Sequence, residues 1–175
     1  MYIHLKDVET KGVVRIEETV DLQDTLPKSA SLTDFGPLHV KLEAHDKFGT
    51  AEVTGELSIE VEQPCSRCLG PVRQILTIPF HETFALGEAP ETEEDLESDE
   101  DDDVEWVSDQ RIELMPYLAE SVMLALPYVP LCDEACQGLC PVCGENRNEK
   151  ACGCKQEKVD PRLAGLADFF AQSKD

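Results

Sequence analysis

Hydrophobic and polar residues alternate along much of the first half of the chain. Residues of one parity are apolar over 38–44, 53–61 and 72–84. A period of two predicts β-strands with one buried face. Shorter stretches near 3–5 and 13–20 are compatible with further strands. The apolar positions of the three main runs are Leu38, Val40, Leu42, Ala44, Val53, Leu57, Ile59, Val61, Val72, Leu76, Ile78, Phe80 and Phe84.

Turn residues separate these runs at Leu26-Pro27, Phe48-Gly49 and Leu69-Gly70-Pro71. The connections are too short to hold crossover helices. We therefore expect an antiparallel β sheet or half-barrel, and a parallel α/β fold is disfavoured.

The apolar period changes to three and four residues after position 113, at Met115, Leu118, Val122 and Leu126. This spacing predicts one long helix over 114–126 that packs on the sheet. Pro127 ends it.

Asp160-Pro161 is typical of a helix start, and a short second helix is predicted over 161–171. The expected fold class is α+β: the sheet or half-barrel, the long helix, a cysteine-rich zinc-binding tail and the short C-terminal helix.

Between positions 88 and 105, 12 of 18 residues are acidic and none is Lys or Arg. Charge repulsion and the scarcity of apolar side chains predict a disordered or extended loop. The expected organisation is thus a β-rich part over 1–87, this acidic loop over 88–105, a helical part over 106–131 and the tail over 132–175.

The charge balance limits the partners. The chain has 175 residues with 15 Lys and Arg against 37 Asp and Glu, a formal charge of -22. Such a surface does not bind nucleic acid over its whole extent, so any contact with phosphates is local. No apolar run has the length of a membrane span, and the start MYIHLKDVET lacks the apolar core of a secretory signal. We therefore expect a cytoplasmic protein without a membrane partner.

Eight cysteines provide the strongest chemical signal. Two form a C-x-x-C turn between strand patterns, and the other six fill the tail at short spacings that are typical of zinc sites. Eight thiolates make two complete tetrahedral sets, so two structural Zn²⁺ ions are predicted. The predicted ligands are Cys65, Cys68, Cys132, Cys136, Cys140, Cys143, Cys152 and Cys154.

Two groupings of these cysteines are compatible with the spacing. The tail cysteines from Cys140 to Cys154 can close locally, which leaves Cys65 and Cys68 to share a metal with Cys132 and Cys136. Alternatively, Cys65 and Cys68 pair with the Cys140/Cys143 knuckle. A redox-active C-x-x-C, an iron–sulfur cluster and metal-free thiols are the competing interpretations.

No catalytic residue is predicted. The four histidines lie in the β-rich part, away from the tail cysteines, which argues against a hydrolytic zinc site. The acids concentrate in a segment expected to be mobile, which argues against a metal-dependent nuclease. We expect a protein that is not an enzyme and has no small-molecule substrate.

Three sequence segments resemble the YceD family, the large ribosomal RNA subunit accumulation proteins. They are Cys65-Ser-Arg-Cys68-Leu69, ELMPYLAESVMLALP over 113–127, and the tail from Pro130-Leu-Cys132 through Gly138-Leu-Cys-Pro-Val-Cys-Gly144 to Asp160-Pro-Arg162. The tail is similar to the cysteine-rich version of that family. The resemblance implies a role in synthesis, processing or stability of large-subunit (23S) ribosomal RNA, and it implies no catalytic residue.

Two modes of action follow. In the first, a basic patch near the zinc tail binds pre-ribosomal large-subunit RNA or an immature large subunit. Its candidate residues are Arg67, Arg73, Arg147, Lys150, Lys155, Lys158 and Arg162. In the second, the acidic loop acts as a polyanion that binds a basic ribosomal protein, so the protein is an interaction module or chaperone.

Overall fold

The computed structural model describes residues 1–88 and 104–154. The core of the acidic loop over 89–103, the predicted helix over 161–171 and the candidates Lys155, Lys158 and Arg162 lie outside the described residues. The described elements are β1 (Tyr2–His4), α1 (Leu5–Lys11), β2 (Val13–Val20), β3 (Asp34–Phe35), β4 (Leu38–Lys47), β5 (Thr50–Pro64), β6 (Pro71–Leu86), β7 (Val104–Val107), β8 (Arg111–Glu113) and α2 (Met115–Ala125).

One curled sheet forms the body of the protein, in the order β2-β4-β5-β6-β7, with β3 added to β5. β4 and β5 are joined by a tight turn at Phe48 and Gly49, both with positive φ. The backbones of these two strands approach closely at Gly55, because a Cβ atom there would overlap the Lys41 carbonyl oxygen. β1 and β8 form a separate two-stranded sheet. The predicted α+β class with a half-barrel is confirmed.

The expectation of an antiparallel sheet throughout is wrong at one edge. β7 runs parallel to β6, with Thr83 opposite Val104 and Leu86 opposite Val107. Parallel neighbours need a connection of about a dozen residues or more. The chain between Leu86 and Val104 has that length, whereas the sequence interpretation allowed a parallel neighbour only through a crossover helix.

The expectation of one long helix is also wrong. α2 has 11 residues, and a second helix of seven residues, α1, follows β1. The seven residues of α1 include only two apolar ones, Leu5 and Val8, which are too few to show a helical period. Pro127 follows the last turn of α2 and stops its extension. Within 1–88 and 104–154, neither helix has the length and apolarity needed to cross a membrane.

The core lies between the concave face of the sheet and α2. Leu114, Leu118 and Val122 are completely buried, and the Phe84 ring meets Tyr117 edge-on at a centroid distance of 5.0 Å. Alternate residues of β4 and β5 face this core, as their period of two predicts.

A buried glutamine joins the core to the cysteine-rich part. Gln63, on β5, is 1% exposed, and its Nε2 donates to the carbonyls of Ser31 at 2.9 Å and Pro127 at 3.4 Å. Its Oε1 accepts from Gln74 on β6. These bonds hold the chain that leaves α2 against the end of β5, where the first cysteine pair begins.

Candidate metal centres

The described cysteines form two groups of four. Centre 1 consists of Cys65, Cys68, Cys132 and Cys136, and in each centre all four sulfur atoms lie within 4.8 Å of one another. Centre 2 consists of Cys140, Cys143, Cys152 and Cys154. All eight are free thiols rather than disulfides. This is the first of the two groupings that the spacing allows.

The sulfur separations in centre 1 fit a tetrahedral ion. Cys65 Sγ lies 3.9 Å from Cys136 Sγ, and Cys68 Sγ lies 3.6 Å from Cys132 Sγ. Zinc–sulfur bonds of about 2.3 Å in a tetrahedron require sulfur–sulfur edges of about 3.8 Å. The residues present therefore fit a four-sulfur metal site in both ligand type and spacing.

Centre 1 is assembled from two distant chain segments. The Cys65 amide donates to the Gly70 carbonyl at 2.7 Å and the Leu69 amide donates to the Cys65 carbonyl at 2.9 Å, which closes the turn between β5 and β6. The Ser66 amide donates to the Pro130 carbonyl at 2.8 Å. This bond attaches the turn to the chain beyond α2, just before Cys132.

The thiols of centre 1 differ in acidity. Burial acts to raise the pKa of Cys65, but backbone amides, that of Cys132 foremost, outweigh it and hold that pKa at about 6. Contacts with the thiols of Cys136 and then Cys68 raise the pKa of Cys132 to about 12. Thiolates this close together repel one another, which disfavours deprotonation of all four. A bound cation offsets this repulsion.

Centre 2 closes locally around a knuckle. The Gly144 amide donates to the Cys140 carbonyl and the Cys140 amide donates to the Glu145 carbonyl, both at 2.8 Å. The amides of Cys143 and Val142 lower the pKa of Cys140 to about 6. Cys140 is buried, whereas Cys143 is exposed to solvent.

Arg67, a candidate for RNA binding, connects the two centres. Its Nη1 donates to the carbonyls of Glu134 and Cys136, each at 2.9 Å, and its own carbonyl accepts from the Leu139 amide at 3.0 Å. Gly138 packs on that carbonyl with φ +71°, and a Cβ atom there would lie 2.8 Å from the Arg67 oxygen. The segment between the centres thus wraps around Arg67.

Asn148 belongs to the loop of centre 2 but contacts centre 1. Its Nδ2 donates to Cys136 Sγ at 3.2 Å, and this bond lowers the pKa of Cys136. Its Oδ1 accepts from the Gln137 amide at 2.7 Å. Neither Asn148 nor Gly138 was identified from the sequence, because polar loop residues and glycines carry no local signal of a contact with another centre.

The other RNA-binding candidates occupy different surroundings. Arg73 lies on β6, where its Nε donates to Glu62 at 2.7 Å. The Arg147 amide donates to the Gly138 carbonyl, so Arg147 lies near Arg67 on the cysteine-rich part. Arg147 is half-buried and Lys150 is exposed.

No histidine or carboxylate among the described residues joins either cysteine set. His39 contacts Thr19, His45 contacts Glu43 and His81 contacts Glu52, all on the sheet. An ion held by four sulfur atoms has no open position for water or substrate. An ion held at either centre would therefore have a structural role.

Comparison with known proteins identifies relatives of this chain. Residues 53–170 match the family described as "Large ribosomal RNA subunit accumulation protein YceD". "Uncharacterized protein Rv2926c" of Mycobacterium tuberculosis is 36% identical over 123 residues, which cover 70% of this chain. The chain spans 57% of the length of this mycobacterial relative.

Two further relatives extend the comparison. "Uncharacterized protein YlbN" of Bacillus subtilis is 29% identical over 166 residues, 94% of this chain and 92% of the relative. The chloroplastic "Large ribosomal RNA subunit accumulation protein YCED homolog 1" of Arabidopsis thaliana is 27% identical over 96 residues, 51% of this chain and 30% of the relative. No solved structure matches the chain.

Proposed function

The chain belongs to the YceD family of large ribosomal RNA subunit accumulation proteins, and from this premise we propose that it acts in the synthesis, processing or stability of 23S ribosomal RNA during ribosome assembly. The match over 53–170 carries the proposal, because it includes β6, α2 and every cysteine of both centres. Plant relatives named for large-subunit RNA accumulation support it.

The protein acts without catalysing a reaction and without a small-molecule substrate. Its proposed cofactor is one Zn²⁺ in each centre, held by Cys65, Cys68, Cys132 and Cys136 in centre 1 and by Cys140, Cys143, Cys152 and Cys154 in centre 2. When bound, zinc supplies structural cross-links. The chain's own residues then orient the surface: Arg67 holds the segment between the centres, and the knuckle presents Arg147 and Lys150.

The proposed RNA-binding surface lies on this cysteine-rich part. Its partner is pre-ribosomal large-subunit RNA or an immature large subunit, and the protein works in the cytoplasm. The proposed contact residues are Arg67, Arg73, Arg147, Lys150, Lys155, Lys158 and Arg162. The Arg67 guanidinium donates to two carbonyls, and Arg73 pairs with Glu62. Among the described candidates, the side chains of Arg147 and Lys150 are therefore best placed for phosphate contacts.

A second candidate function is binding of a basic ribosomal protein through the acidic loop. The observation that favours it is the charge of -22, of which 12 acids fall within 88–105. Two of the described arginines proposed for RNA contact are already engaged within the protein. A polyanionic segment holds a basic client until it is transferred to RNA.

Depletion of the protein in its own cells tests the main proposal. We expect the ratio of mature 23S to 16S ribosomal RNA to fall, with recovery on expression of the wild-type chain and reduced recovery with Cys65→Ser. An unchanged ratio in depleted cells, with normal large-subunit particles on gradients, would refute a role in 23S RNA accumulation.

A pull-down from growing cells separates the two candidates. The captured RNA and the captured basic ribosomal proteins are each quantified across a salt series, with and without nuclease. Retention of large-subunit RNA after removal of basic proteins supports the RNA surface. Retention of a basic protein after nuclease treatment, lost when 89–103 is replaced by a Gly/Ser linker, supports the second candidate.

A further inference from the structure

β6 has one side whose backbone groups are directed away from β5. Along an antiparallel strand, successive residues direct N–H and C=O alternately to one neighbour and to the other. Pro71 and Pro79 lack an N–H group, so neither can donate a hydrogen bond to β5. The backbone groups of the odd-numbered residues of β6 therefore face away from β5. The hydrogen bond of Gly87 supports this assignment, because its amide donates to the carbonyl of Val107, the last residue of β7.

In the part of the chain that the structure describes, most of this side of β6 has no neighbouring strand. β7 accompanies β6 only from Thr83 to Leu86. Within 1–88 and 104–154, no strand pairs with this side at Arg73, Ile75 or Thr77, and no backbone hydrogen bond reaches them from it. Pro79 offers a carbonyl alone, so the stretch that can both donate and accept is 73–77.

The middle of the open stretch exposes an apolar side chain. Ile75 is 71% exposed on the convex face of the sheet, although it lies well inside the 16-residue strand β6. A sheet edge that directs both N–H and C=O groups outward, beside an exposed apolar side chain, is suited to a further strand.

The surroundings of this edge are acidic. Glu60 lies on β5 directly opposite Ile75, and in the described part of the chain it forms no ion pair. A groove of about 250 Å³ beside it is lined by Asp34, Glu60 and Glu62 with one basic residue, Arg73. Arg73 is paired with Glu62 and Lys28 with Asp34, so Glu60 has no ion pair in the described part of the chain and only a longer-range attraction to Arg73.

The acidic loop is attached beside the same edge. Its described ends are Glu88, which follows Gly87 after β6, and Val104, which pairs with Thr83. Ten of the 15 residues between these ends are acidic. A second copy of the chain is a poor occupant of this edge, since two chains of charge -22 repel each other.

Resting on the second candidate function, we propose that residues 73–77 of β6 bind an extended basic segment of a partner protein, which adds to the sheet as a strand. Its backbone pairs with the outward N–H and C=O groups of Arg73, Ile75 and Thr77. Its Lys or Arg side chains reach across Ile75 toward Glu60, two strand spacings or about 10 Å away. Pairing with the edge adds a preference for an extended backbone to the attraction between opposite charges.

A ten-residue peptide of alternating Lys and Val serves as the probe. Its affinity for the full chain is compared with that of the same peptide carrying N-methylated backbone amides, which keeps the charge but removes the strand donors. We expect N-methylation to weaken binding at least tenfold, since several hydrogen bonds are lost at about 0.5–1.5 kcal/mol each. Hydrogen exchange at the Ile75 and Thr77 amides slows when the unmodified peptide binds.

Two variants at one position provide a matched test. Thr77→Pro removes one outward N–H and occupies the same kind of position as the native Pro79, so pairing with β5 is retained. Thr77→Val keeps the N–H and removes the hydroxyl. We expect Thr77→Pro to weaken the unmodified peptide about three- to tenfold and Thr77→Val to leave its affinity unchanged. Exchange protection of β4 and β5 verifies that both variants are folded.

The outcomes are distinguishable. Equal affinity for both peptides, lost when 89–103 is replaced by a Gly/Ser linker, shows a purely electrostatic contact and overturns the strand edge while the second candidate function stands. Absence of peptide binding overturns both. Self-association of the wild type that Thr77→Pro abolishes identifies a second copy as the occupant and also overturns the proposed partner.

Discussion

Centre 1 and centre 2 present the same four sulfur ligands in two different relations to the fold. The ligands of centre 1 come from the β5–β6 turn and from the chain beyond α2, with 71 positions between Cys65 and Cys136. All ligands of centre 2 lie within 140–154. Centre 1 buries Cys65 and Cys136 and exposes Cys132, whereas centre 2 buries Cys140 and exposes Cys143. An ion in centre 1 therefore cross-links the domain, and an ion in centre 2 orders a local loop.

Ligand type alone therefore does not determine the structural consequence of a metal site. A short loop with little apolar area depends on its metal for order. A sheet and helix with a common apolar core have their own stability, and the metal adds a link between parts already close together. The two centres nevertheless touch, through Arg67, Gly138 and Asn148.

The largest expected effect comes from Cys65→Ser. Cys65 has no solvent exposure, and its loss removes the link between the β5–β6 turn and the chain beyond α2. We expect bound zinc to fall from two ions to about one and the melting temperature to fall by about 10 °C or more. Elemental analysis and calorimetry measure these quantities. A full complement of two ions and an unchanged melting temperature would contradict centre 1 as a cross-link.

Gly138→Ala tests the contact between the centres. A Cβ atom at this position meets the Arg67 carbonyl oxygen at 2.8 Å, and the positive φ adds backbone strain. Gly144→Ala is the matched control, because its φ is also positive, at +75°, but nothing lies within 4 Å of its Cβ position. We expect Gly138→Ala to lower the melting temperature by about 5 °C more than Gly144→Ala does. Equal shifts in the two variants would mean that the Arg67 contact contributes nothing beyond strain.

The sequence predicts those parts of the molecule that local patterns encode. The period of two gives the central strands, because each has one face on the core. The short spacing from Cys140 to Cys154 indicates a local centre, because four sulfur atoms can meet within so short a loop. Grouping of the other four cysteines follows only by elimination.

Several contacts between distant segments were not predicted, although one of the two cysteine groupings did join the β5–β6 turn to the chain beyond α2. β7 joins β6 in parallel through a connection without any helical or strand pattern, and α1 has one buried residue. Leu22, Leu26 and Leu32 are fully buried although the chain around them reads only as turns. The position of Asn148 against Cys136 depends on how both centres pack, which no local spacing encodes.

Asn148→Ala tests the link between the two centres, because it removes a side chain of the centre 2 loop that contacts centre 1. Since Asn148 Nδ2 donates to Cys136 Sγ, we expect the zinc affinity of centre 1 to fall about tenfold, the lower end of the range for outer-shell partners of metal ligands. Competition with a chromophoric chelator measures the two affinities separately. Lys150→Ala, an exposed change in the same loop, is the control. If centre 2 weakens and centre 1 does not, the Asn148 bond has no role in centre 1.

Cys152→Ser has the smallest expected effect on the domain. Its loss opens centre 2, so zinc falls from two ions to about one, but the apolar core and the ligands of centre 1 are intact. The rest of the domain then loses only the hydrogen bond from Asn148 to centre 1. We therefore expect the melting temperature to fall by less than about 4 °C. Combining Cys152→Ser with Asn148→Ala gives no further loss of centre 1 affinity, because the first change already releases the loop. Additive losses in the double variant would show that Asn148 stays on Cys136 without centre 2, and a fall as large as that of Cys65→Ser would remove the distinction between a cross-linking and a local centre.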